Sequence, residues 1–150
     1  MRARFAHVNL IAHDWQNLAG FYERVLGCER LLPERDLAGR WLEESTGVPA
    51  VHIRGAHLRL PGYGEGGPTL EVFQYDVESL SSRPAVNRPG LGHLAFAVQD
   101  VRAALDAVLA AGGGQIGELV SVDIPGVGRI TFVYATDPEG NIIELQHWHA

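Results

Sequence analysis

Ala6-His7-Val8-Asn9-Leu10, near the start of the chain, and Gly92-His93-Leu94-Ala95-Phe96, past its middle, are the stretches that decide the fold. Each is a short apolar run with a histidine in the same place. Each is answered later by an apolar run around a glutamate: Thr69-Leu70-Glu71-Val72-Phe73 and Ile142-Ile143-Glu144-Leu145-Gln146. A shift of 86 positions places His7 on His93, Asp14 on Asp100, Trp15 on Val101, Ala19 on Leu105, Tyr22 on Val108 and Gly27 on Gly113. A shift of 73 places Glu71 on Glu144, Leu70 on Ile143 and Val72 on Leu145. The chain is therefore an internal repeat, the first property to settle because it governs every later assignment. His and Glu are 64 residues apart in the first unit and 51 in the second, so the first carries about 13 extra residues, assigned to 34–50.

The elements between the anchors repeat in the same order. Residues 5–12 read as a strand. Asp14 is a helix N-cap, and the helix Trp15–Leu26 sets Leu18, Phe21, Tyr22, Val25 and Leu26 on one stripe, closed by Gly27. Short strands are expected at 29–33, 51–60 and Thr69–Tyr75, with an irregular segment at 34–50 and a helical turn near Leu42. Residues 61–68 form a glycine-rich turn. It precedes a strand rather than opening a helix, so it lacks the helix N-terminus of a phosphate loop. The polar, proline-bearing stretch 77–90 reads as a linker between a first module, 1–76, and a second, 91–150. In the second module a strand at 91–98, the cap Asp100 and the helix Val101–Ala110 lead to strands at 115–122, Gly128–Thr136 and 141–148. Asp137-Pro138-Glu139-Gly140 has the residues of a type I turn.

Imidazole and carboxylate are good ligands for divalent ions of borderline softness. One of each in both halves of a repeat predicts a four-ligand metal site built from His7, Glu71, His93 and Glu144. The set suits Ni, Co, Mn, Fe or Zn without selecting among them, and leaves coordination positions for substrate oxygens. The remaining histidines are assigned elsewhere: His13 to the surface, His52 and His57 to a strand shared with Arg54 and Arg59, with His57 and Arg59 on a face turned either inward or, the assignment preferred, to solvent, and His147 and His149 to a mobile tail. Trp41 and Arg40 lie in the extra segment, as a specificity lid or a plain surface loop. Cys28 reads as a small buried residue.

The doubled βαβββ order resembles the vicinal oxygen chelate superfamily, which holds glyoxalase I, methylmalonyl-CoA epimerase, extradiol dioxygenases and bleomycin- and fosfomycin-resistance proteins. The motifs carrying the resemblance are Ala6-His7-Val8, Phe21-Tyr22-Glu23-Arg24-Val25-Leu26-Gly27, Gly92-His93-Leu94-Ala95-Phe96 and Asp137-Pro138-Glu139-Gly140-Asn141-Ile142-Ile143-Glu144-Leu145. The resemblance implies an α+β fold in which two βαβββ modules form a cup-shaped mixed β-sheet around a metal site. It also implies ligands on the first and last strands of each module, and modules that pair across chains in a homodimer. The expected activity is that of a glyoxalase- or epimerase-like lyase or isomerase. Such an enzyme moves a proton next to a carbonyl of a small-molecule substrate through an enediolate on the metal, with Glu144 or Glu71 as the catalytic base. Two alternatives stand beside it. One is an extradiol-type dioxygenase holding Fe(II) with His7, His93 and Glu144. The other is a non-catalytic binder of the antibiotic-resistance type.

Composition sets the outer limits. The 150 residues are 46% hydrophobic and 20% charged, in keeping with a globular chain. A net charge of −6 argues against nucleic acid or an anionic membrane as partner. No apolar run is long enough to span a bilayer, and Met1-Arg2-Ala3-Arg4-Phe5 lacks a signal-peptide core. A single cysteine forms no internal disulfide, which fits a cytoplasmic protein. Every basic residue apart from histidine is arginine, so a lysine Schiff base is excluded.

Overall fold

A computed structural model describes residues 3–79, 82 and 84–149. The termini Met1, Arg2 and Ala150 of the expected modules, and Leu80, Ser81 and Arg83 of the expected linker, lie outside the described residues. The chain divides into two compact units, residues 1–80 and 81–150.

In unit 1 the elements run β1 (His7–Ile11), α1 (Trp15–Leu26), β2 (Glu29–Ala38), α2 (Arg40–Thr46), β3 (His52–Arg59) and β4 (Thr69–Tyr75). The sheet order is β1-β4-β3-β2. β1 lies parallel to β4, and the other pairs are antiparallel. A parallel partner needs a long crossover, and β1 reaches β4 only after the rest of the unit has been laid down. Helix α1 starts where the Asp14 carboxylate accepts from the Asn17 N–H at 3.0 Å. It ends at Gly27, whose φ of 71° is the left-handed conformation that a residue without Cβ adopts at little cost. Its buried side, Leu18, Phe21, Tyr22 and Leu26, packs on β2, β3 and β4 against Ala56, Leu58, Leu70 and Val72. Each of these large side chains contributes roughly 1.5–3 kcal/mol on burial.

Unit 2 repeats the plan with β5 (Leu94–Ala97), α3 (Val101–Ala110), β6 (Gly114–Ile124), β7 (Gly128–Thr136) and β8 (Ile142–Trp148), in sheet order β5-β8-β7-β6. Asp100 caps α3 by accepting from the Ala103 N–H at 2.9 Å, as its repeat mate Asp14 does for α1. Val101, Leu105 and Val108 pack toward Val133, Ala135, Ile143 and Leu145. Both second strands are interrupted at matching places, β2 between Leu31 and Arg35 and β6 between Ile116 and Val120. Among the described residues, two four-stranded mixed sheets with three helices make an α+β fold built from a doubled βαβββ unit.

Three expectations need correction. The strand expected at 29–33 runs on to Ala38, and the irregular segment shrinks to 39–51, where α2 forms a full short helix rather than a single turn. Leu42 anchors it in a small cluster with Val51 and Ile53, joined by Leu37, Val48, Phe73 and Tyr75. The tail assigned to His147 and His149 is not loose. His147 lies within β8, and the His149 N–H donates to the Arg129 carbonyl at 2.9 Å, extending the pairing with β7. His93 is not on a strand but immediately before β5.

Candidate metal centre

Strand alternation sorts the side chains of each sheet. In unit 1, Leu70 and Val72 point to α1, so Glu71 between them points to the opposite face. His7 and Asn9 of β1 and His57 of β3 share that face, because Asn9 and His57 are the register partners of Glu71 on either side. Glu71 is 8% exposed, among the few buried charged residues described. A carboxylate that far from water needs polar partners. The Asn9 amide donates to its Oε2 at 3.0 Å. His7 Nδ1 lies 3.5 Å from its Oε1, and His57 Nε2 lies 3.3 Å from the same oxygen.

In unit 2, Ile143 and Leu145 point to α3, and Glu144 points away. His93 Nε2 lies 2.9 Å from its Oε2. Tyr134 is the register partner of Glu144 on β7, and its ring centroid is 5.2 Å from that of His93. The sequence-predicted residues thus come together as two His–Glu pairs, one in each unit. Two ligands bound about 2.1 Å from an ion at about 90–110° to each other lie roughly 3.0–3.4 Å apart. The pairs, at 3.5 and 2.9 Å, lie just outside either end of that range, so the donor types fit neighbouring ligands of a divalent ion once each pair adjusts slightly. Among the described residues no three His, Cys, Asp or Glu side chains stand ready to hold an ion on their own.

His57 is the residue that sequence reasoning misplaced. Of the two faces that alternation leaves open the sequence favours solvent, yet its side chain is only 22% exposed and sits beside Glu71. Its edge-to-face contact with Phe73, at 5.6 Å between centroids, holds the ring in place. Burial pushes its pKa down; Glu71 opposes the shift, and Arg35 and His7 reinforce it. Its signal in the sequence was its spacing of two from Arg59, which fixes the face of the strand but not which face is the site. The residues of the extra segment are divided. Leu42 joins the cluster with Ile53 and Phe73, on the Glu71 side of the sheet, while Trp41 is 57% exposed.

The other histidines stand apart from this face. His13 meets Glu78 at 2.8 Å and is exposed. His147 and His149 alternate with Glu144 and so lie on the α3 side of their sheet. With Asp100, Val101, Leu119 and Thr131 they border a cavity of about 260 Å³. His147 Nδ1 donates to the Val98 carbonyl at 2.9 Å. Cys28 is buried, and burial followed by the nearby Glu23 raises its thiol pKa to about 12. No described helix is long and apolar enough to cross a membrane.

Comparison with known proteins agrees with this architecture. Residues 4–145 match the family model described as Glyoxalase/Bleomycin resistance protein/Dioxygenase superfamily. A curated relative, "Glyoxalase 1" of Caenorhabditis elegans, is 24% identical over 119 residues, 77% of this chain. The chain spans 40% of the length of that relative. Among solved structures, a glyoxalase family protein from Bacillus cereus aligns over 100% of this chain and 97% of its own, with a TM-score of 0.86 and 19% identity. The fosfomycin resistance protein FosX of Listeria monocytogenes aligns over 100% of this chain and 94% of its own, with a TM-score of 0.61 and 17% identity. One crystal form of a FosX mutant holds Mn(II) and 1S,2S-dihydroxypropylphosphonic acid, so at least one member of the superfamily binds a divalent metal and a small organic ligand. With a doubled βαβββ fold and a family match over almost its whole length, the chain belongs to the Glyoxalase/Bleomycin resistance protein/Dioxygenase superfamily.

Proposed function

We propose that this chain is a divalent-metal-dependent enzyme of the glyoxalase or epimerase type, moving a proton on the carbon beside a carbonyl of a small-molecule substrate. The observation that carries the reading is the His–Glu pair made twice, at repeat-equivalent positions, on the sheet face turned away from the helix. His7 and Glu71 are assigned as one half of the ligand set, and His93 and Glu144 as the other. An ion of the Ni, Co, Mn, Fe or Zn group held by them would supply Lewis-acid polarisation of two neighbouring substrate oxygens.

Glu144 is assigned the proton transfer. A general base must be able to reach the substrate proton and hand it back. Glu71 accepts a hydrogen bond from Asn9 at one oxygen and has His57 and His7 at 3.3 and 3.5 Å from the other. Glu144 faces His93 at a single oxygen and its neighbour Tyr134 across the sheet, which leaves it freer to move. A reducing compartment and a homodimer are part of the same reading. The buried thiol of Cys28 suits the first, and the commonness of two-fold closed symmetry supports the second.

The test combines metal analysis with isotope exchange. The purified chain is expected to carry stoichiometric divalent metal. With glyoxal adducts or acyl-CoA epimers in deuterated water it is expected to place deuterium on the carbon beside the carbonyl, with no need for oxygen. Strict dependence on Fe(II) with oxygen uptake matching product would transfer the assignment to a dioxygenase. Tight ligand binding without turnover would transfer it to a binding protein.

A further inference from the structure

We infer that His57 is a positioning residue for Glu71, orienting that carboxylate toward His7. The inference rests on the reading of Glu71 as a ligand and adds a residue that the four-ligand pattern does not contain. Three observations carry it. His57 is the cross-strand register partner of Glu71, and its Nε2 is 3.3 Å from Oε1. The Asn9 amide donates to the other oxygen at 3.0 Å, so the carboxylate has a polar neighbour on each flanking strand, β1 and β3. The arrangement also has a counterpart in unit 2, where Tyr134 is the register partner of Glu144 and its ring packs near His93. In both units the third strand thus places a ring-bearing residue in register with the glutamate of the last.

The chemistry is that of a second layer around a metal ligand. An ionised carboxylate only accepts hydrogen bonds, so a neutral His57 ring facing it carries its proton on Nε2. The Phe73 ring packs edge-to-face against it. A glutamate side chain free to rotate would give up entropy on binding an ion; one already bonded to Asn9 and flanked by His57 has less of that freedom to lose. Removal of such a partner typically weakens metal affinity by roughly 10–100-fold.

Two measurements on the full-length chain test the inference. The first uses metal-free protein and long-range ¹H–¹⁵N spectra of the imidazoles. His57 is expected to show the Nε2–H form, and its signals are expected to move in Glu71→Gln. A ring protonated on Nδ1, or one that ignores that substitution, overturns the inference whether or not metal binds. The second titrates Co(II) by visible absorption. His57→Ala is expected to bind roughly 10–100-fold more weakly at unchanged stoichiometry. His57→Gln, which keeps an N–H donor, is expected to recover part of the loss and guards against a folding failure of the alanine variant. Wild-type affinity in both variants overturns the inference. So does loss of stoichiometric binding in a variant that melts normally, since His57 would then be a ligand itself. A wild-type chain that takes up no Co(II) would sink the metal-enzyme reading, and the imidazole spectra alone would then decide the role of His57.

Discussion

At the residue scale the two carboxylates differ in how firmly they are held, and that difference generates predictions. Glu71 is buried with three polar neighbours, whereas Glu144 makes one short contact. His93→Ala and Glu144→Ala are expected to lose stoichiometric metal while remaining folded, because the sheet of unit 2 is held by Val133, Ile143, Leu145 and the α3 stripe. Elemental analysis showing full metal in either variant would remove that residue from the ligand set. Cys28 supplies a pH prediction. Its thiol pKa rises from 9.0 to about 12 in the fold. Between those values the unfolded chain has lost the thiol proton and the native chain has kept it. The contribution of this group to stability is therefore intact below about pH 9 and is lost progressively up to about pH 12. A disulfide reagent at pH 8 should label the native protein far more slowly than the unfolded one, since the thiolate is the nucleophile. Equal labelling rates would contradict the burial.

At the element scale, caps and close strand contacts decide local stability. Asp14→Ala and Asp100→Ala each remove the acceptor for a first-turn N–H and are expected to cost about 1 kcal/mol, read from urea unfolding. The matching losses would reflect the repeat itself. Gly55 is the sharper case. A Cβ there would lie 2.2 Å from the Val72 carbonyl oxygen and 2.9 Å from the Phe73 Cα. These are backbone atoms of β4, so relief requires β3 and β4 to part. Gly55→Ala is expected to destabilise by about 1–3 kcal/mol and also to weaken metal binding, because Gly55 sits two residues before His57 on the strand that pairs with Glu71. Unchanged stability would show that the strands separate freely. The extra segment belongs to this scale too. α2 has no counterpart in unit 2, where residues 125–127 alone join β6 to β7. Its attachment is apolar, through Leu42, and lies on the Glu71 side of the sheet.

At the scale of the whole molecule the measurable quantities are stoichiometry and mass. The proposed ligand set predicts one divalent ion per chain. Two ions per chain would mean that each pair acts separately. Light scattering at micromolar concentration is expected to give about twice the chain mass of 16.3 kDa, as for a homodimer; a mass equal to one chain would reject it.

The sequence by itself determined the doubling. Repetition of His, Asp, apolar stripe and Glu at fixed shifts was enough to predict two βαβββ units and both helix caps, because strand alternation, helix periodicity and capping depend on neighbours within a strand or a helical turn. What only the tertiary structure decided was which side of a strand matters. Alternation separates His57 from Leu58, but the face that meets Glu71 is chosen by where α1 packs and by the register of β3 on β4. The same holds for His147 and His149. Their place in the chain suggested a loose end, and strand pairing with β7 instead fixed them on the α3 side. Segment 34–50 read as irregular because its apolar residues are few. Its helix forms because Leu42 finds Val51 just before β3, Ile53 on β3 and Phe73 on β4, partners that local sequence cannot foresee.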